Sequence, residues 1–188
     1  VVEPLHLFDC VMPCAGADGF LVMHADKARE LGIDGVNIGA AFECFNAFPN
    51  DPVQLRAGWT LYGEELLANA GVNHADIDLV ETYDDYPVVV MLQLEGMGFC
   101  KPGTAAAFLK TYSMKFDSNG LPHNTNGGQL SVGQAGAAGG FLGIVEALRQ
   151  LLKTAESNQV TNAATALVTG YGMVNYDRGI CSSAMVLQ

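Results

Sequence analysis

No apolar run in this chain approaches the roughly 20 residues that a helix needs to cross a bilayer, so no transmembrane segment is expected. Basic residues are scarce and nowhere clustered. Nine lysines and arginines stand against 20 acids, a formal charge of −11. Phosphate backbones are bound by cations, so nucleic acid is not an expected partner. A membrane surface, which is anionic, is disfavoured for the same reason. Cysteine is sparse as well. The five (Cys10, Cys14, Cys44, Cys100 and Cys181) are scattered, and an odd count argues against full pairing. A reducing, cytoplasmic compartment is therefore expected. His6, Cys10 and Cys14 lie near one another in sequence, but C-x3-C without a second pair is a poor zinc signature. No metal is expected, and these cysteines read as small buried hydrophobes. The opening VVEPLHLFDC has no basic n-region and no cleavage-site pattern, so no signal peptide is expected. It starts at Val1, which fits a fragment or a processed piece.

What is present is apolar residues, 49% of the chain, with only 15% charged. At 188 residues such a chain has enough length to bury a sizeable core. Residues 1–17 read as an extended lead-in with turns at Pro4, Pro13 and Gly16. GFLVMHA (19–25) fits a buried strand, and DKARELG (26–32) a short helix stopped by Gly32. VNIGAAFE (36–43) fits another strand, and FPNDP (48–52) a turn. Over 53–71 a helix is expected, with Leu55, Trp59, Tyr62, Leu66 and Ala70 as its apolar stripe. IDLVETY (77–83) reads as a strand. Pro87 after YDDYP favours a helix over 88–98, and 104–113 reads as another. The clearest helix is 141–153, with Phe141, Ile144, Val145, Leu148, Leu151 and Leu152 on one face and Glu146, Arg149, Gln150 and Lys153 off it. Residues 165–172 and 180–188 fit an antiparallel strand pair around a turn at Asn175–Gly179. Alternating strands and helices predict a layered α/β domain, a mixed β-sheet flanked by helices. Residues 1–52 would hold the lead-in and first strands and 53–188 the main domain, packed as one unit.

Four stretches can carry chemistry. NTNGGQLSVGQAGAAGG (124–140) is dense in glycine and precedes a helix. Such a loop lets a ligand approach the backbone, with free N–H groups favouring an oxyanion; equally, it serves close helix–sheet packing. It has no Gly-Lys-Ser/Thr and no G-x-G-x-x-G spacing, so it is not a phosphate loop of either kind. ETYDDYP (81–87) crowds Glu81, Asp84 and Asp85 against Tyr83 and Tyr86. Carboxylates beside phenols act as acid–base groups when burial shifts their pKa; the bland alternative is a solvated capping turn. GYGMVNYDRG (170–179) holds Tyr171 between two glycines at a strand end. His123, at the edge of the glycine loop, reads more simply as a hydrogen-bonded surface residue than as a base. No Ser/His/Asp or Cys/His constellation assembles from the four histidines.

Together these stretches resemble the C-terminal half of a thiolase. NTNGGQLSVGQAGAAGG resembles the thiolase segment N-x-N-G-G-x-x-x-x-G-H-P-x-G-x-x-G. ADGFLVMHADKARELG resembles the family's DGAAA strand and helix, matching at Asp18–Gly19. DIDLVETYDDYP resembles the approach to its N-E-A-F or H-D-C-F loop, and ALVTGYGMV…SSAMVLQ its final hairpin. The blocks occur in family order over nearly the whole chain. The departures fall on the chemistry. Gln134 stands in place of the thiolase histidine, with Ala135 in place of the following proline. Val168 stands in place of the second catalytic cysteine, and Tyr171 follows the surviving Gly170. The nucleophilic cysteine belongs to an N-terminal half not in this sequence.

The resemblance implies a coenzyme A thioester as substrate, no tightly bound cofactor, and carbon–carbon bond making or breaking by acyl transfer or retro-aldol cleavage. One branch, the thiolase-like lipid-transfer proteins, includes aldolases that cut steroid side chains from CoA thioesters with tyrosines in place of the Cys/His set. Tyr83 matches one of those tyrosines; the second falls where Gln134 stands. The expected catalytic set is Tyr83, Gln134 and Tyr171, with Tyr171 supplying the missing phenol. Asn126, Gly127, Gly128, Gly133 and Gly170 are the expected substrate-binding residues. The partners implied are an N-terminal thiolase half or a partner subunit, such as a zinc-ribbon/OB-fold protein, in a homo- or hetero-oligomer. Two other readings stand beside an enzyme: a degenerate thiolase-fold subunit that completes a heteromeric complex, and a stand-alone acyl-CoA-binding module.

Overall fold

The computed structural model describes residues 2–188. Its centre is a four-stranded mixed sheet in the order β1-β4-β3-β2. The strands are β1 (Ile38–Phe45), β2 (Leu79–Thr82), β3 (Ala166–Asn175) and β4 (Arg178–Leu187). β2 and β3 run parallel, and the other two pairs are antiparallel. Helices cover both faces: α2 (Gly58–Ala70) and α3 (Pro87–Gly96) on one, α6 (Leu142–Leu151) on the other. Three shorter helices, α1 (Ala25–Leu31), α4 (Ala105–Thr111) and α5 (Gly128–Val132), complete the set. The expected layered α/β architecture is therefore present.

The two-residue period of the strands sorts the core. Leu167, Val80 and Val186 face α2 and α3 and pack with Trp59, Leu66, Leu94 and Met97. Their strand neighbours Ala166, Val168, Leu79 and Leu187 face α6 and pack with Ala147. Burying both faces of a strand requires continuous apolar runs, which ALV and MVL supply. β1 pairs along its length with β4, so the span 1–52 contributes a strand to the sheet of the main domain.

Most elements sit where the sequence places them, including the Pro87 start of α3, the Gly32 stop of α1 and the terminal antiparallel pair. Four expectations are corrected. Residues 19–24 form no strand; Leu21 and Val22 are exposed, because the run lies beside no strand with which to pair. The helix expected from residue 53 starts at Gly58. A Cβ there would sit 2.5 Å from Cys44 Cβ and 2.6 Å from Ser182 Oγ, so glycine brings the helix start against the sheet. Its buried side is Trp59, Gly63, Leu66 and Leu67, while Leu55 and Tyr62 are exposed. On α6 the fully buried residues are Glu146, Ala147 and Gln150, and Phe141 and Leu152 are exposed. The two polar side chains turn inward because partners await them there. Finally, no cysteine is buried: Cys14 is exposed and the other four are intermediate. Among the described residues no helix is long and apolar enough to cross a membrane.

Candidate active site

The site forms where β2 ends. Beyond Thr82 the chain leaves the sheet, and Gln93 of α3 fixes its course. The buried Gln93 amide accepts from Tyr83 N–H at 3.2 Å and donates to Tyr83 C=O at 2.6 Å. Thr169 Oγ1 of β3 donates to the same amide oxygen at 2.7 Å. Tyr83 is thus held through its backbone, which aims its phenol towards the glycine loop.

There the phenol meets Gln134 and Asp85. Tyr83 Oη donates to Asp85 Oδ2 at 2.8 Å. Gln134 Nε2 donates to Tyr83 Oη at 2.7 Å and to Asp85 Oδ1 at 2.6 Å. Phenol, carboxylate and amide close a triangle. Partial burial and the Asp85 carboxylate raise the Tyr83 pKa above its ordinary value. Burial raises that of Asp85 as well, against the Tyr83 hydrogen bond that lowers it. The phenol is therefore protonated at neutral pH, with the Asp85 carboxylate as its acceptor. The segment before Cys14 clamps the arrangement from outside: Val11 N–H donates to Asp85 C=O at 3.1 Å, and Gln134 N–H to Met12 C=O at 2.8 Å. Gly133, with φ +99°, lets that segment close, since a Cβ there would lie 2.8 Å from Cys14 Sγ.

The glycine loop is built against the end of β2 and the acidic residues there. Asn124 completes the sheet edge by accepting from Thr82 N–H at 2.8 Å and donating to Thr82 C=O at 3.1 Å. Asn126 Oδ1 accepts from Gly128 N–H at 2.9 Å. The buried Asp84 carboxylate accepts from Gln129 N–H at 2.8 Å and Leu130 N–H at 3.3 Å at the start of α5. Desolvation raises its pKa, and those amides oppose the rise. Behind the loop Glu81 is fully buried, and desolvation pushes its pKa up to about 8. Around them is a small cavity, about 20 Å³, lined by Glu81, Asn126, Gly128, Gln129, Gly139 and Val168 among others.

The structure gathers some of the expected residues and not others. Tyr83 and Gln134 touch. Asn126 and Gly128 line the cavity, with Gly127 (φ +97°) making the turn between them. Gly170 does not line it; a Cβ there would meet Ser183 Oγ at 2.5 Å, so it serves strand packing. Nor does Tyr171 join Tyr83. Its hydroxyl donates to Gln54 Oε1 at 2.7 Å and accepts from Gly179 N–H at 2.8 Å, and its ring packs on Trp59 across the other sheet face. That hydroxyl ties the final hairpin to residue 54, which is a structural commitment. His123 Nε2 contacts Thr82 Oγ1 at 2.7 Å, and burial lowers its pKa to about 4, so it is neutral. Sequence reading does not single out Gln93 or Gln129, and it puts Glu146 on the outer face of its helix. All three are polar residues at buried positions of helices, and only the fold tells which helix face is inside.

Residues 50–184 match the family described as thiolase C-terminal domain-like. Over its whole length the chain is 31% identical to a steroid side-chain-cleaving aldolase of Thermomonospora curvata, 47% of which it covers. It is also 31% identical over its whole length to 17-hydroxy-3-oxo-4-pregnene-20-carboxyl-CoA lyase of Mycobacterium tuberculosis, again covering 47%. Among solved structures it is similar to the Ltp2-ChsH2(DUF35) aldolase, with a TM-score of 0.75 and 27% identity, covering all of this chain and 48% of that one. The chain thus spans about half the length of these relatives.

Proposed function

The chain belongs to the thiolase C-terminal domain-like family, and from that premise we propose that it is the C-terminal half of an enzyme that cleaves a carbon–carbon bond in an acyl-CoA thioester, as a retro-aldolase acting on a lipid or steroid side chain. The observation that carries this reading is the hydrogen-bonded triangle of Tyr83, Asp85 and Gln134. Retro-aldol cleavage starts with removal of a proton from the β-hydroxyl. Gln134 has no proton to exchange. Tyr83 does: its phenolic proton passes to Asp85 as Oη takes the substrate's. The C–C bond then breaks and its electrons enter the thioester as an enolate. N–H donors of the glycine loop stabilise the developing oxyanion. Acyl transfer is the weaker reading, because no cysteine thiol takes part in the triangle.

The partners follow from the missing half. Coenzyme A carries several phosphate charges, which cations from outside a half-chain of net charge −11 would help to offset. An N-terminal thiolase half or a partner subunit, of which a zinc-ribbon/OB-fold protein is one kind, supplies them in an oligomer. No cofactor is held tightly. Five free thiols suit a reducing cytoplasm.

One observation favours a second reading, a catalytically silent subunit. Tyr83 Oη already donates to Asp85 and accepts from Gln134, so substrate must displace one of these bonds. The test is CoA-ester cleavage by the complete assembly with Tyr83→Phe in this chain. Loss of about 100-fold supports the acid–base role; unchanged turnover leaves the silent subunit.

A further inference from the structure

Two buried oxygens near the site have no hydrogen-bond partner: Glu81 Oε2 and Gln129 Oε1. Their residues are 1% and 2% exposed, and both line the same cavity of about 20 Å³. Neither can turn away. Glu81 Oε1 accepts from Thr125 N–H at 3.2 Å and contacts Thr125 Oγ1 at 3.1 Å, so Oε2 is the free end. The Gln129 amide lies beside Asp84 and favours its charged form, and its own oxygen is left without a partner. Gly139 makes room for that oxygen; a Cβ there would lie 2.2 Å from it. An orphan buried acceptor costs about 1–3 kcal/mol. A cavity of roughly 10–15 Å³ or more with polar walls suits one water, which can donate to Gln129 Oε1 while accepting from Glu81 Oε2 when that carboxyl is protonated.

Glu81 also belongs to a proton-sharing unit. Across Thr125 Oγ1 lies Glu146 Oε1 at 2.6 Å. Glu146 is fully buried but richly paired: Gln150 Nε2 and Asn158 Nδ2 each donate to Oε1 at 2.9 Å, and Arg149 Nη1 to Oε2 at 3.3 Å. Glu81 has no cation and one backbone donor. Of the two carboxyls, the proton therefore belongs on Glu81.

We propose that Glu81 Oε2 and Gln129 Oε1 hold one water between them, and that this water carries the Glu81 proton to the enolate left by carbon–carbon cleavage. The second half rests on the retro-aldolase reading; the first does not. The step balances. Asp85, through Tyr83, takes the β-hydroxyl proton. The water gives a proton to the enolate carbon, forming the new C–H bond, and is replenished from Glu81, which becomes a carboxylate. The proton held by Asp85 returns to Glu81 through solvent when product leaves. Glu81 is a supply residue in this scheme, because the water and not its carboxyl delivers the proton to the carbon. The charges facing it are Glu146, with Arg149 behind it on α6, and Asp84 on the loop after β2. From β3 it meets Val168, and from the glycine loop only neutral groups. The raised pKa of about 8 agrees with a proton retained at neutral pH.

Two measurements on the complete protein test this. A high-resolution crystal structure without substrate is expected to show a water within about 3 Å of both oxygens. A dry or collapsed cavity overturns the proposal, whatever the reaction is. Glu81→Gln keeps the shape but has no acid proton. Its cleavage rate is expected to fall about 100-fold at neutral pH, and the alkaline fall near pH 8 expected of the parent to be absent from the variant. An unchanged rate, or an unchanged alkaline limb, overturns the supply role. If the variant does not fold, the parent's infrared spectrum decides: a carboxylic-acid band lost with a midpoint near pH 8 is expected, and its absence overturns the role. A parent that cleaves no CoA ester sinks the retro-aldolase reading and leaves the water site standing.

Discussion

A Cβ on Gly128 would lie 2.0 Å from Oδ2 of Asp84. The pair meets because Asp84 reaches into the start of α5 to take two backbone N–H groups, and Gly128 has φ +62° where the chain turns to present them. This contact fixes the glycine loop against the end of β2, and the geometry of the site depends on it.

Gly128→Ala is accordingly expected to destabilise the protein by about 2–4 kcal/mol, through a steric clash and an unfavourable φ together. Chemical denaturation of the complete protein measures it. A loss below about 0.5 kcal/mol would mean that the loop does not need this approach.

Asp85→Asn keeps hydrogen-bonding atoms beside Tyr83 but no longer accepts a proton. Turnover is expected to fall about 100-fold or more with little change in stability. Gln134→Ala removes one donor to the phenol, and a smaller loss, about 10-fold, is expected. If the Gln134 variant were the worse of the two, the amide and not the carboxylate would be the central group.

Stability should depend on pH through Glu81. Its folded pKa of about 8 is above the value near 4.3 of an unfolded chain. The folded state then binds more protons in that interval, so stability is full below it and is lost as pH rises towards 8. His123 acts oppositely. Its pKa is lowered to about 4, so stability is lost as pH falls from about 6.5 to 4. The two slopes oppose each other below about pH 6.5. Between there and 8 Glu81 dominates, with a fall of at most about 1.4 kcal/mol per pH unit. Denaturation of Glu81→Gln against pH is expected to lack that fall.

Tyr171→Phe separates a structural role from a chemical one. The lost hydroxyl removes one donor to Gln54 Oε1 and one acceptor for Gly179 N–H, which still bond each other at 2.9 Å, for about 0.5–1.5 kcal/mol of stability. Turnover by the folded variant is expected to persist. A drop beyond about 10-fold would return Tyr171 to the acid–base set.

Much of this was legible in the residues. Pro87 marks the start of α3 and Gly32 the stop of α1 because each has a restricted or special backbone geometry. The glycine loop and ETYDDYP stand out because such densities of glycine and acid are uncommon beside apolar runs. The apolar stripe of α6 misled for a physical reason. Glu146 and Gln150 are buried because Thr125, Asn158 and Val160 offer them hydrogen bonds, and those partners are 8 to 25 residues away in sequence. The strand expected at 19–25 had the composition of one, but pairing is a property of neighbours.

The sequence alone determined the layered α/β class and the segments that supply the candidate site, because local propensity and residue chemistry travel with the chain. Only the tertiary structure decided which groups meet. It joined Tyr83 and Asp85 to Gln134, some 50 residues on, committed Tyr171 to the hairpin, and left two buried oxygens facing one cavity. Those outcomes depend on how β2, the glycine loop and α6 pack, and a hydrogen bond of this length is fixed by distances that sequence spacing does not set.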